Sequence, residues 1–528
     1  LNTAIGVDSL MTQNAGANAY NTAVGYHSGK LVTTGVQNTL IGGLAGDALT
    51  DADNNVAIGK SAMTTNQLGS DSVAVGTFAL NSMNPASAVS MHNVAVGHNT
   101  GAAVTTGTLN TLIGSLAGDA LNTANSNVAI GYSALSTDTK GDNSVAIGEN
   151  ALLTQNFTSS TDSYNVAVGS NAGRAVTTGQ SNTLIGGLAG DAITTGGSNT
   201  FVGYNSGHVE STGANNVIIG QAGQAQTLTN DTVAVGDGAL QTNTKSAKNT
   251  AIGRSALRNL NHTSATDGHN TALGFNAGLA MTTGDSNTLI GSLSGDAITT
   301  GAKNVALGRA ALGANTAGNK TVAIGMEALA SQNITSDGDS FNTAVGYQAG
   351  TAVTTGVQNV LIGGEAGDAL TDADFNVAMG VSALGSDTLG SRNVAIGHGS
   401  LSTHNVSSAA NTYNTAVGFH AGVAVTTGTL NTLIGGLAGD ALTTGASNVA
   451  VGYAALSAED AHGLNVAIGT NALGALNAGA NAFNVAVGHD AGTGVTTGIQ
   501  NTLIGGLAGD ALLAAADNVA VGFEALST

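Results

Sequence analysis

The carboxylates carry the sharpest chemical signal in this chain. Asp47, Asp119, Asp191, Asp296, Asp368, Asp440 and Asp510 each follow a glycine in a recurring Gly-Asp-Ala phrase. Their wide separation in sequence prevents any two from sharing an ion within one chain. Three copies meeting on a threefold axis could hold a cation or share a proton, which makes this set the candidate metal site. The competing and favoured role is an Asx-type turn, with the side chain accepting from nearby amides. Asp51 with Asp53, and Asp372 with Asp374, form closer pairs. A glycosidase pair needs a cleft that holds its carboxylates across a bond, and these pairs lie in turn-rich stretches. Histidine is scattered. His27, His98, His398, His420 and His489 sit at mixed offsets past a glycine, and His262 and His269 share one long loop. There is no His-x-x-x-His, no Gly-x-Ser-x-Gly and no phosphate loop. Cysteine is absent, which removes thiolate chemistry. We therefore expect no catalytic residue, no cofactor and no enzyme.

Seven flat rings recur with a regularity that chemistry could use. Tyr20, His92, Tyr164, His269, Phe341, Tyr413 and Phe483 each stand directly before an asparagine that opens a repeat. Most of them close a longer segment: Asn81 to His92, Thr154 to Tyr164, Asn259 to His269, Ser331 to Phe341 and Ser402 to Tyr413. Loops on stacked repeats often form the binding face, so the rings are weak candidates for contact with a sugar or another surface. The favoured expectation is that each ring covers its bulge and plugs the local core.

What positions all of these residues is a five-residue phrase, Asn-x-Ala-Val/Ile-Gly, exemplified by Asn38-Thr39-Leu40-Ile41-Gly42. It returns about 30 times between Asn2 and Gly522, with glycines mostly 17 residues apart. A fixed short period means stacked units. A higher period of 72 residues is marked by Gly25, Gly97 and Gly169, then by Gly274, Gly346 and Gly418. An irregular insertion at about 204–253 separates the two series. Glycine-rich units with β-branched clusters oppose helix. The fold expected is all-β, a parallel β-solenoid with one coil per repeat, running as a single array over 1–528.

Within a coil, the phrase predicts a strand with period-2 facing. The residue before the glycine is always apolar, so Ile41, Ile58 and Val75 are assigned to the core. The central Ala then faces outward. In one repeat per cycle it becomes Leu40, Leu112, Leu184, Leu289, Leu361, Leu433 or Leu503, an outward apolar stripe that calls for a second chain. The alternation Gly29, Gly46, Met63, Leu80 suggests a second short strand. The asparagine that opens each phrase, replaced only at Ser72, Ser144, Thr232 and Thr321, should form a ladder along the stack. One coil buries too little apolar surface to offset the roughly 25 kcal/mol needed to order it, so only neighbours can stabilise it. We expect a homo-oligomer.

Composition adds exclusions. The net charge of -20, with only 12 Lys and Arg, leaves no basic patch for nucleic acid. No run of about 18 apolar residues exists to cross a membrane as a helix. No signal peptide is visible, and both ends lie inside repeats, as if cut from a longer array. A Thr lattice for ice would be too sparse, since Thr33-Thr34 recurs in one repeat of four.

The phrase Asn55-Val56-Ala57-Ile58-Gly59-Lys60-Ser61-Ala62 resembles the head repeat of YadA-like trimeric autotransporter adhesins, and also the Asn-Thr-Ala-Ile-Gly-Tyr-x-Ala-Leu repeats of phage tail fibres. The resemblance covers essentially the whole chain. It implies a trimer of parallel β-rolls, left-handed in the adhesin heads, and an extracellular fibre that attaches to a cell-surface glycan or matrix receptor. The familiar head repeat is shorter, and no stalk, membrane-anchor barrel or chaperone segment is present in this stretch. Adhesin, phage fibre and self-assembling filament stay open on this ground, with a tail-spike enzyme the remotest alternative.

Overall fold

The computed structural model describes residues 1–16, 18–227 and 229–528; Leu228, within the expected insertion, lies outside the described residues. Each phrase forms a three-residue strand such as Val56–Ile58, and no helix occurs among the described residues. Consecutive strands pair in parallel and in register: Val56 with Val73, Ala57 with Ala74, Ile58 with Val75. The chain is thus an all-β parallel solenoid of about 30 coils. It falls into two compact units, Leu1–Ser255 with Asn261–Gly268, and Ala256–Leu260 with His269–Thr528. The coils of each unit are built alike.

The facing of the strands is the reverse of the expected one. Leu40, Ala57 and Ala74 at the strand centres are fully buried, while Ile41 is 38% exposed and Val56 and Ile58 are half-buried. All seven Leu of the presumed outward stripe lie in the core. The outward face carries Val or Thr at the first strand position and Val, Ile, Leu or Met at the third.

Each strand ends at a glycine that no other residue can replace without strain. Gly59 has φ +132°, and a Cβ there would stand 2.5 Å from the carbonyl oxygen of Gly76 in the next coil. The chain then turns at once. Ser61 and Met63 adopt the left-handed conformation (φ 55° and 53°), so no second strand forms where the glycine alternation suggested one. That alternation is instead a volume exchange. A Cβ on Gly29 would meet Leu40 Cδ1 at 2.5 Å, and one on Gly46 would meet Leu40 Cδ2 at 2.9 Å. Where the strand centre is Leu, the turns around it are Gly; where it is Ala57 or Ala74, Met63 or Leu80 fills the space. The insertion obeys the same rule, since buried Phe201 leaves room only for Gly207, whose Cβ would lie 2.3 Å from the ring.

The asparagine ladder is present and buried. Asn38 N–H donates to Asn21 Oδ1 (2.8 Å) and Asn38 Nδ2 to the Ala52 carbonyl (2.8 Å). Asn55 repeats the pattern on Asn38 and Gly69. At Ser72 the amide still bonds Asn55 Oδ1 (3.1 Å), and the hydroxyl accepts from Asn93 N–H (3.3 Å).

The volume exchange predicts a double-mutant result. Ala57→Leu alone overpacks a site already filled by Met63 and should cost about 1–3 kcal/mol. Adding Met63→Gly, which recreates the arrangement around Leu40, should recover most of it. The check is denaturant midpoint by circular dichroism, and additive losses in the double variant would refute the exchange.

Candidate functional site

The long coils depart from the plain ones at a single corner. Seven residues past each strand glycine, the chain places a core side chain, apolar in most coils, as at Val32, Leu49, Met83 and Val104. In several coils this residue is polar yet fully buried: Asn66, Asp138, Asn315, Asp387 and Glu459. Each accepts the amide hydrogen three residues on. Gly69 N–H bonds Asn66 Oδ1 (2.8 Å), Gly141 N–H bonds Asp138 Oδ1 (3.0 Å), and Gly390 N–H bonds Asp387 Oδ1 (2.9 Å). The polar corner therefore closes a tight turn that an apolar one cannot. Above it, in four long coils, the added residues form a two-residue strand parallel to this turn, such as Val89–Ser90 on Gly69–Ser70 and Ala410–Asn411 on Gly390–Ser391.

Two equivalent grooves result, one in each unit. Asp51, Asp53, Ser70, Ala88, Val89 and Ser90 line a space of about 290 Å³. Asp372, Asp374, Ser391, Ala409, Ala410 and Asn411 line one of about 300 Å³. In both, the turn carboxylates are half-committed. Val36 N–H donates to Asp53 Oδ1 and Val357 N–H to Asp374 Oδ1, each at 2.7 Å. Thr34 and Thr355 hydroxyls donate to Asp51 and Asp372 Oδ1. The paired carboxylates are thus turn-bound, as expected, but they also face a common groove.

The ring positions correct the expectation that they plug the core. Tyr20, Tyr164, Phe341, Tyr413 and Phe483 are 49–58% exposed, and His92 and His269 are exposed as well. Each sits in the left-handed conformation, φ 48–53°, which turns its side chain outward from the buried asparagine that follows. Lys320 lies over Phe341 at 5.0 Å, and Arg392 lies over Phe375 at 4.6 Å and Tyr413 at 5.9 Å. Phe375 and Arg392 were not singled out in the sequence. They stand at the same pre-asparagine place as the rings, and that shared place was the available signal.

The Gly-Asp-Ala carboxylates sit in the turn after the strand and have separate surroundings. Asp47 accepts from the Thr64 hydroxyl. Asp191 is buried against His208 Nδ1 (2.5 Å), with Arg174 at 3.8 Å. Asp119, Asp440 and Asp510 each keep one buried oxygen without a partner. Burial pushes the carboxyls of Asp119, Asp296, Asp368 and Asp440 above the ordinary range. For Asp296 the opposing effect comes only from its own backbone amide, whereas for Asp368 the Glu365 charge adds to the rise and the Ala369 amide opposes it.

Two further clusters escaped the sequence reading. His404 Nδ1 lies 2.8 Å from Asp387 Oδ2, both side chains fully buried. Their 17-residue spacing, one coil apart at the same corner, is the signal that marks them. Glu459, Asp460 and His462 bring one ligand-type atom each within 4.8 Å of one another. The buried member, Glu459, is already held by the amides of His462 (3.1 Å) and Ala478 (3.3 Å), so it serves the turn.

Comparison with protein-family models and with curated proteins finds no match to this chain.

Two predictions follow from the buried carboxylates. In the first unit the corners equivalent to Asp387 and His404 are Asn66 and Met83. His404→Met alone strands the Asp387 carboxylate and should cost about 3–5 kcal/mol, whereas Asp387→Asn with His404→Met should be near neutral. Hydrogen exchange at the Gly390 amide reads both, and equal exchange in the two variants would refute the pairing. For Asp296 the folded state binds its proton more tightly than the unfolded chain does. Its contribution is greatest when the carboxyl is protonated and is lost as pH rises from about 4 through the raised value. Asp296→Asn should therefore raise the thermal midpoint at pH 7 and not at pH 3; an equal shift at both would show that burial is not the cause.

Proposed function

We propose that this chain is a structural and adhesive extracellular fibre, working as a homotrimer and holding to a cell-surface glycan or matrix receptor rather than catalysing a reaction. The observation that carries the reading is the outward face of the strands. Ile113, Ile185, Ile434 and Ile504 are 38–40% exposed and repeat at the in-register strand spacing, with Val or Thr beside them. A regular, mostly apolar sheet face partly open to water invites association, and a second copy offers an equally regular face. The Leu column, once given this role, belongs to the core, so the oligomer rests on the Ile and Val column instead.

The likeness to adhesin heads and tail-fibre repeats supports trimeric symmetry and an extracellular place. Adhesion is supported by the exposed rings at the long coils. The reading without catalysis is supported by the paired carboxylates, each of which gives its Oδ1 to a turn amide or hydroxyl. No helix among the described residues is long and apolar enough to cross a membrane.

Light scattering after size exclusion should return about three times the 51.1 kDa of one chain. Ile113→Glu with Ile130→Glu should release single chains of unchanged circular dichroism. A wild-type monomer at micromolar concentration would refute the assembly. Failure of the wild type to be retained on any cell or matrix surface would refute the adhesive role.

A further inference from the structure

The second groove differs from the first in what stands beside it. In the first unit the pre-asparagine column next to the groove reads Asn54, Asp71, His92. In the second it reads Phe375, Arg392, Tyr413, with the guanidinium between two rings. Arg392 Nε donates to Asn411 Oδ1 at 3.0 Å, which ties the ring column to the groove wall. The Nη groups of Arg392 and the Oδ2 atoms of Asp372 and Asp374 have no hydrogen bond or ion pair among the described residues. Ser391 Oγ accepts from Asp374 N–H (2.9 Å) and keeps its own proton to give.

We infer that the groove formed by Asp372, Asp374, Ser391 and Asn411, flanked by the Phe375–Arg392–Tyr413 stack, binds a neutral saccharide. The inference rests on the adhesive reading and assigns it a place. A pyranose presents alternating hydroxyls at its edge and a C–H face above and below. The edge needs convergent acceptors and donors, here two carboxylate oxygens against a guanidinium and an amide. The C–H face needs an exposed flat ring, and Phe375 (40%) and Tyr413 (51%) supply one on either side of the arginine. Two carboxylates in the floor oppose a sialic or uronic acid, because the ligand's own carboxylate would meet like charge. One arginine, already drawn to Asn411, does not outweigh both. A peptide strand is a poorer fit, since the edges that Ala410–Asn411 and Gly390–Ser391 turn to each other are already paired.

The test can be made without disturbing the fold. The pre-asparagine column holds Asn54, Gln358 and Ser181 in the same left-handed conformation, φ 58–59°. Phe375→Asn, Arg392→Gln and Tyr413→Ser therefore place residues that this column already accepts. Saturation-transfer NMR on the full chain, with neutral hexose and N-acetylhexosamine oligosaccharides as probes, should show transfer to the C–H face protons. The triple variant should bind at least about tenfold more weakly, with unchanged circular dichroism. A sialylated version of the same oligosaccharide should bind more weakly than its neutral parent. Undiminished binding by the triple variant, tighter binding of the sialylated probe, or no transfer to any neutral probe would each overturn the assignment. Cell attachment measured on the same samples separates the two levels. A triple variant that still attaches leaves the fibre reading intact and removes the groove, whereas a wild type that binds sugar in solution but attaches to no surface does the opposite.

Discussion

Glycine on glycine sets the terms of this structure. In most coils of each unit, the strand-ending glycine stands so close to the next coil that a methyl group would press within about 2.2–2.7 Å of a backbone oxygen. The φ of these residues, between about +120 and +145° in all but Gly220 (+90°), is open to glycine alone. The coils are therefore in backbone contact at this edge, and nothing larger than hydrogen can separate them. The asparagine ladder works within that spacing, since its side-chain oxygen must reach the amide one coil further on. The ladder satisfies backbone groups buried away from water, and the glycine contact sets the spacing. They leave each coil few places where its chemistry can vary.

One such place is the corner seven residues past the glycine. Apolar corners add to the core directly. Polar ones hold a turn with a buried side chain, and the long coil that follows lays its extra strand on that turn. Asn66 does this without charge, and Asp387 does it with a carboxylate paired to His404. Burying an ion-type pair brings little net stability compared with an apolar or neutral pair of like size. The Asp387 corner thus carries a costlier version of a solution that the Asn66 corner achieves with Asn and Met. Any advantage of the pair must lie outside net stability, in fixing one geometry for the Gly390–Ser391 wall of the groove.

The coil, its parallel stacking and the asparagine ladder were legible in the sequence because each follows from one repeated phrase. The facing of the strand was not. Period-2 alternation in Val56-Ala57-Ile58 states that two faces exist and says nothing of which is inside, and larger side chains suggested the wrong one. The deciding signal was present in another column. Leu40 coincides with Gly29 and Gly46, and Ala57 and Ala74 with Met63 and Leu80. Only residues that share an interior need to trade volume in this way. The rings at Tyr164 and Tyr413 misled for a related reason. Aromatic residues next to a buried asparagine look like core, but positive φ at the ring's own position swings the side chain out, and backbone sign is not written in residue type. His404 was hidden because its partner is 17 residues away, a contact visible only once the coil length is used as a ruler.

The left-handed pre-asparagine column deserves weight for what it permits. Positive φ costs most side chains about 1 kcal/mol or more, and an inter-coil backbone bond offsets this, from the same residue in plain coils, as when Asp71 N–H reaches the Asp53 carbonyl (3.0 Å), and from the residue before it at the rings, as when Thr412 N–H reaches the Ser391 carbonyl (3.0 Å). That bond uses the backbone alone. The side chain it leaves outside is free of packing demands, which is why Tyr, Phe, His, Arg, Lys, Asp, Gln, Ser and Leu all occur there. A column whose backbone is fixed and whose side chains are unconstrained is the part of this fold where surface chemistry can change without cost to the stack. The grouping of Phe375, Arg392 and Tyr413 in consecutive coils is therefore not a requirement of folding. The same three places in the first unit hold Asn54, Asp71 and His92 with the coil unaltered.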